Sequence, residues 1–306
     1  MPIQAVLNQM IILFLLLAVG FLCGKLKIID AATNKRLSVL ITNVTQVALI
    51  LASVMAVELR MSGLDLAILM LVSCGMYVLL GALAFLVPKL LFTPKRDVGT
   101  YRFMLMFGNT GFMGFRVIAS VFGPEAVFYA ALFNIPFNIL VYSIGIMMLG
   151  GGGKSELSLK RILNPPLIAS ILALLIYISG IRFPTVIVDT MDTLGASTIP
   201  FAMLIIGVSL SQIPLKNIFS EWRLYPVVLV KLIAAPLLLR LILGGLVSNE
   251  IILGVSFVIA AMPVATNATL LTTMYGGNQS LASSGVFIST ALSVATIPLL
   301  LYLFPL

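Results

Sequence analysis

Residues 107–116 read FGNTGFMGFR. Three glycines, an asparagine and a threonine interrupt a long apolar segment, and an arginine closes the interruption. Glycine loosens a helix. In a medium without water, the backbone groups it frees must find partners inside the protein or along a cavity. A second segment, 260–277, reads AAMPVATNATLLTTMYGG. There Pro263 removes a backbone donor, and Thr266, Asn267 and Thr269 follow closely. Each break alone is explained by glycine packing or a proline kink. Two breaks at corresponding places in a chain, each carrying an asparagine, point to a pair of discontinuous membrane helices around a binding site.

The surroundings are those of a bilayer protein. Of 306 residues, 61% are hydrophobic and 9% charged, and mean hydropathy is +1.19. Soluble domains carry about a quarter charged residues. Runs such as MIILFLLLAVGFL (10–22) are continuously apolar, which excludes the alternating strands of a pore barrel. The pattern predicts an all-α membrane protein with ten transmembrane helices, near 5–25, 34–57, 65–92, 99–122, 124–149, 163–181, 185–212, 223–247, 250–275 and 280–305. The start lacks the basic region of a cleavable signal.

Lysine and arginine choose the orientation. Loops one, three, five and seven, with their borders, carry thirteen cations, among them Lys25, Lys35, Lys95, Lys154 and Arg223; the even loops hold only Arg60 and Arg182. The positive-inside rule puts the odd loops in the cytoplasm and both termini outside, in a plasma (inner) membrane. The net charge of +8 is therefore a topology signal, and no nucleic-acid partner is expected.

GGGGKSELSLKR (150–161) is the most polar stretch and reads as a cytoplasmic linker over 150–162, dividing a first repeat (1–149) from a second (163–306). It is no phosphate loop, because Met148 stands where the first glycine is required. TQVALILASV (45–54) resembles TIPFAMLIIGV (198–208), and VFGPEA (121–126) resembles MYGGNQ (274–279). Both pairings are displaced by the same 153 positions. Five spans per half make the second copy inverted, a 5+5 arrangement with broken crossover helices in spans 4 and 9.

No histidine is present, and Cys23 and Cys74 lie singly within apolar spans. Neither a metal, a cofactor nor an enzyme's acid–base set is expected. Arg116, Lys231 and Arg240 are the cations placed within spans, and no glutamate lies in a span interior. Cations without intramembrane acids, beside exposed helix N-termini, favour an anionic ligand. The candidate substrate-binding residues are Asn109, Thr110, Gly111, Gly114, Arg116, Lys231, Pro263, Thr266 and Asn267. For Lys231, bonds to the carbonyls of a broken helix weigh at least as much as a substrate contact; Arg240 is read as snorkelling to a helix end.

GNTGFMGF (108–115), FYAALFNIPFNIL (128–140), AAMPVATNATLL (260–271) and TALSVATIPLLLYL (290–303) together resemble the auxin efflux carrier family, PIN-like and of bacterial type. The resemblance implies a scaffold domain from spans 1, 2, 6 and 7, a mobile transport domain from spans 3–5 and 8–10, and a homodimer through the scaffold. It implies a secondary transporter of small organic anions, auxin-like or malonate- and malate-like, working by elevator-type alternating access. The family usually has proline where this chain has Arg116, and proline near Val47. The rival readings are a sodium-coupled symporter of amphipathic anions, as in the bile-acid symporter architecture, and a non-transporting sensor or scaffold.

Overall fold

The computed structural model describes residues 3–55, 62–150, 165–212 and 218–304. Residues 151–162 of the linker read at 150–162 lie outside them. The described residues form twelve helical pieces: α1 (Ile3–Lys25), α2 (Ala31–Met55), α3 (Gly63–Leu90), α4 (Val98–Met106), α5 (110–122), α6 (126–149), α7 (Pro165–Ser179), α8 (Thr185–Ser211), α9 (Leu224–Leu243), α10 (Glu250–Ala260), α11 (Asn267–Tyr275) and α12 (Gln279–Leu303). Among them α2, α3, α8, α9 and α12 are long and apolar enough to cross a bilayer singly, and α6, bent by 43°, makes a sixth candidate. α7, α10 and Ile11–Lys25 of α1 are shorter apolar helices. In spans 4 and 9 the reason is visible: each is cut in two, into α4 with α5 and α10 with α11.

Local chemistry sets the ends. Asp30 caps α2 by accepting the Thr33 amide at 2.7 Å, and that bond holds its carboxyl below the usual value. Ser62 caps α3, Asn249 caps α10 and Asn278 caps α12, each accepting an amide of the first turn. Gly123 ends α5 with φ +92° and ψ 164°, and Gly276 ends α11 with φ +101° and ψ 177°. That corner of conformational space is open essentially to glycine alone. The two glycines are the pair matched in the sequence. Other boundaries keep the same spacing: Leu90 and Leu243 end α3 and α9, and Ala126 and Gln279 begin α6 and α12.

Side-chain ties collect the loops at two ends. Asn278 Nδ2 donates to Asp97 Oδ1 at 2.9 Å, and Arg223 Nε donates to the Leu91 carbonyl at 3.2 Å. Asn249 Nδ2 donates to Asp65 Oδ1 at 3.2 Å. Asp65 lies in the first turn of the 28-residue α3 and Leu91 just past its last, with the helix about 42 Å long at 1.5 Å per residue. The loops at 91–97 and 276–278 therefore share one end, and those before α3 and α10 share the other. α1 lies along α8, α2 packs on α7 and α8, and α3 packs on α4 and α6.

Among the described residues four stretches widen to π-helical turns, at Ile41–Thr45 in α2, Thr110–Gly114 in α5, Val141–Gly145 in α6 and Val230–Ala234 in α9. Such turns shift the register of side chains downstream and often mark functional segments. In α2 the turn precedes Val47, the position that matches Pro200 inside α8.

Candidate functional site

The two breaks meet. Residues 107–109 and 263–265 lie between the helical pieces and meet antiparallel, with an isolated bridge between Gly108 and Val264. The Asn109 amide donates to the Pro263 carbonyl at 2.7 Å, and the Ala265 amide donates to the Phe107 carbonyl at 3.0 Å. The Val264 amide donates to Ser289 Oγ of α12 at 3.0 Å. The backbone groups freed by glycine and proline are thus satisfied mainly by one another, as a medium without water demands. Gly108 is needed for this closeness. A Cβ there would lie 3.3 Å from the Met262 carbonyl and 3.4 Å from Lys231 Nζ.

A cavity of about 320 Å³ opens beside the crossing, between α2, α6, α7, α5 and α11. Asn109, Thr110, Gly111, Thr266 and Asn267 line it, joined by Gln46. Asn109 is only 3% exposed, and its Nδ2 has no hydrogen-bond partner among the described residues. Asn267 Oδ1 is likewise buried and unpartnered. Each such atom costs about 1–3 kcal/mol while it stays unmatched. Thr110 is differently placed: its hydroxyl donates to Asn134 Oδ1 at 2.5 Å. Gly111 admits Gln46, whose Nε2 would lie 2.5 Å from a Cβ there.

The remaining candidates stand off the cavity wall. Pro263 supplies its carbonyl to the crossing. Gly114 packs on Met262, whose Cγ would be 3.4 Å from a Cβ at that position. Lys231 is 1% exposed in the π-helical turn of α9 and lies behind the crossing, against Gly108. Arg116 is exposed on α5. Arg240 sits in the last turn of α9, over the rings of Phe257 and Phe304. Met262 is fully buried in the break.

The sequence reading passed over several lining residues. Lys35 was counted only as a loop cation, yet it lines this cavity and a second one. Asn134 and Asn138 lie one turn apart on α6, buried at 3% and 6% exposure, and line the first cavity. The available signal was spacing. Asn34, Ser38 and Thr42, followed by Gln46, put a polar residue at every fourth position of an apolar span.

The second cavity, about 520 Å³, lies on the other side of α2, against α8, α11 and α12. The two share Lys35, Ser38, Thr42, Thr266 and Asn267. Both take their walls from the first half of α2 and from Tyr275 or Gln279, beside the end where Asp97 meets Asn278. Among the described residues no cluster of His, Cys, Asp or Glu could hold a metal ion.

Long apolar helices enclosing two paired breaks and a polar cavity define the class: a multi-pass membrane transport protein. The particular family follows from comparison. The family described as Membrane transport protein matches residues 5–158 and 154–301, and the chain belongs to it, the family of the auxin efflux carriers. It is 30% identical over 239 residues to an uncharacterized transporter of Methanocaldococcus jannaschii, covering 74% of each chain. It is 28% identical over 194 residues to an uncharacterized transporter of Methanothermobacter thermautotrophicus, covering 62% of this chain and 63% of that one. It is 31% identical over 208 residues to a protein of Rhizobium meliloti provisionally named a malonate transporter, covering 64% of each.

Proposed function

We propose that this protein is a secondary transporter of small organic anions, which it holds beside the crossing between Asn109 and Asn267. The observation that carries this reading is the Asn109 Nδ2 donor, buried and unmatched in the wall of a cavity. A carboxylate that reaches it supplies the missing acceptor. Lys35 adds a positive charge to the same wall, and no Asp or Glu lines it. Family membership and the named malonate transporter among the relatives agree with an anion.

In this reading the chain crosses the membrane ten times as an inverted 5+5 repeat. The shared glycine conformation of Gly123 and Gly276 supports it, as does the junction of the two family matches at 154–158. The scaffold would be α1, α2, α7 and α8, with α3–α6 and α9–α12 as the moving body, and the scaffold would form a homodimer. The cavities lie on the scaffold–body seam, so sliding of the body would carry the site from one face to the other. Their shared end carries Lys35, Lys95 and Arg96, and by the positive-inside rule these cations support an opening toward the cytoplasm.

Proteoliposomes loaded with labelled malonate, succinate or malate test the function. Saturable flux is expected for at least one of them. Binding without flux would favour the sensor reading, and an absolute requirement for sodium would favour the symporter. Topology has its own test, with Cys23 and Cys74 replaced. A cysteine introduced by Arg182→Cys should react with an impermeant thiol reagent outside intact cells, and one introduced by Lys95→Cys should resist it. The reverse pattern would invert the chain in the membrane.

A further inference from the structure

The second cavity has a chemistry unlike the first. Asn34 Nδ2 donates to Ser209 Oγ at 2.8 Å, and the Ser209 hydroxyl donates to the Ile205 carbonyl at 3.0 Å. Ser209 therefore has only lone pairs for Asn34, which fixes the Asn34 amide with its oxygen on the other side. Asn34 is 7% exposed, and its Oδ1 has no partner among the described residues. Other hydroxyl protons of this wall are committed too. Ser38 Oγ donates to the Asn34 carbonyl at 2.8 Å, and Ser283 Oγ donates to Thr269 Oγ1 at 3.2 Å. Asn267 contributes another unmatched acceptor, Oδ1. Lys35 is the cation of the lining, and no Asp or Glu belongs to it.

We propose that this cavity is a second ligand site, for a small carboxylate that carries a hydroxyl group. The carboxylate is drawn to Lys35, and the hydroxyl proton goes to Asn34 Oδ1. An ammonium in place of the hydroxyl would enter a wall with no carboxylate to balance it. The site is distinct from the crossing. The two share Lys35 and Asn267 on a common wall, and their far ends are apart: Asn34 lies twelve residues before Gln46, the α2 residue beside Gly111 in the first cavity, about 18 Å at 1.5 Å per residue. It gives the inward opening a station nearer the surface, selective for hydroxy acids. The choice of an anion rests on the proposed function, and the experiment separates the two readings.

Calorimetric titration of the full-length protein with malonate and with hydroxymalonate provides the test, repeated with succinate and malate. Each plain acid should titrate one equivalent, at the crossing, and its hydroxylated partner two. Asn34→Leu should remove the second equivalent, or weaken it at least about fivefold, and leave the plain acid unchanged. Asn34→Asp, of nearly the same shape, should do the same by setting a negative charge beside the carboxylate; this covers any misfolding of the leucine variant, and plain-acid binding reports the fold of both. Equal stoichiometry for hydroxylated and plain acids, or a second equivalent that survives both variants, overturns the second site while leaving the crossing intact. Absence of binding by all four acids overturns both readings.

Discussion

Asn109→Ala and Asn267→Ala each weaken binding of a transported carboxylate by about 1–3 kcal/mol, the cost of stranding a buried polar partner, or roughly 5- to 150-fold in Kd. For Asn267 the expectation rests on Nδ2, because its buried, unmatched Oδ1 is an acceptor and offers a carboxylate nothing; for Asn109 it follows from what its amide does in the protein. Asn109 uses its backbone amide to hold the crossing, donating to Pro263, and its backbone carbonyl to begin α5, accepting from Gly114. Its side-chain nitrogen holds nothing. Removing the side chain therefore leaves the bonds of the crossing in place, and thermal stability without ligand should change little. If the amides only brace the broken backbone, the pattern reverses, with stability lost and affinity kept. Titration of a transported acid into each variant, beside unliganded melting curves, separates the two. Arg116→Gln is the control. Its exposed side chain lies off both cavities, and affinity should match the unsubstituted protein. Wild-type affinity in both asparagine variants would refute the proposed site.

Gly207→Val is expected to be the most damaging single change to the fold. α1 and α8 touch backbone to backbone. A Cβ on Gly207 would lie 2.0 Å from the Leu17 carbonyl oxygen, and one on Gly20 would lie 2.1 Å from the Leu204 carbonyl oxygen. Small residues let membrane helices approach this closely, and dispersion between their backbones replaces the hydrophobic drive that lipid does not supply. No rotamer relieves a clash with a carbonyl, so the helices must separate along their length. Overpacking of a well-packed core already costs about 1–3 kcal/mol, and prising these two helices apart should cost at least the upper end. Gly207→Val should accumulate poorly and melt well below the unsubstituted protein in detergent. Gly81→Val, on α3 where a Cβ meets nothing within 4 Å, should be close to neutral. Equal stability of the two variants would contradict the packing argument.

The prediction of two broken helices was legible because breaking a membrane helix needs particular residues. Glycine, proline and asparagine in an apolar run leave few other structures open, and both breaks lie where they were read. Asn109, Thr110, Gly111, Thr266 and Asn267 were legible for the same reason, since they are the polar atoms of the interruptions. Arg116 and Lys231 attracted notice by charge within an apolar run, but their positions depend on helix phase and on what packs opposite. Around Arg116 and Lys231 that phase is altered by the π-helical turns at Thr110–Gly114 and Val230–Ala234. A widened turn leaves no mark in composition.

The sequence by itself determined the medium, the helical class and the places where helices break, because these follow from transfer free energies and backbone chemistry that act residue by residue. Tertiary structure alone decided which polar groups are spent and which are left over. Thr110 and Asn109 adjoin in the chain, yet the Thr110 hydroxyl is committed to Asn134, on another helix, while Asn109 keeps a free donor. The same holds for Lys35. Its charge is a topology signal in the chain, and only the approach of α11 and α12 to α2 places it on the walls of two cavities. Hydrogen-bond satisfaction is a property of neighbours in space, so no local pattern can state it in advance.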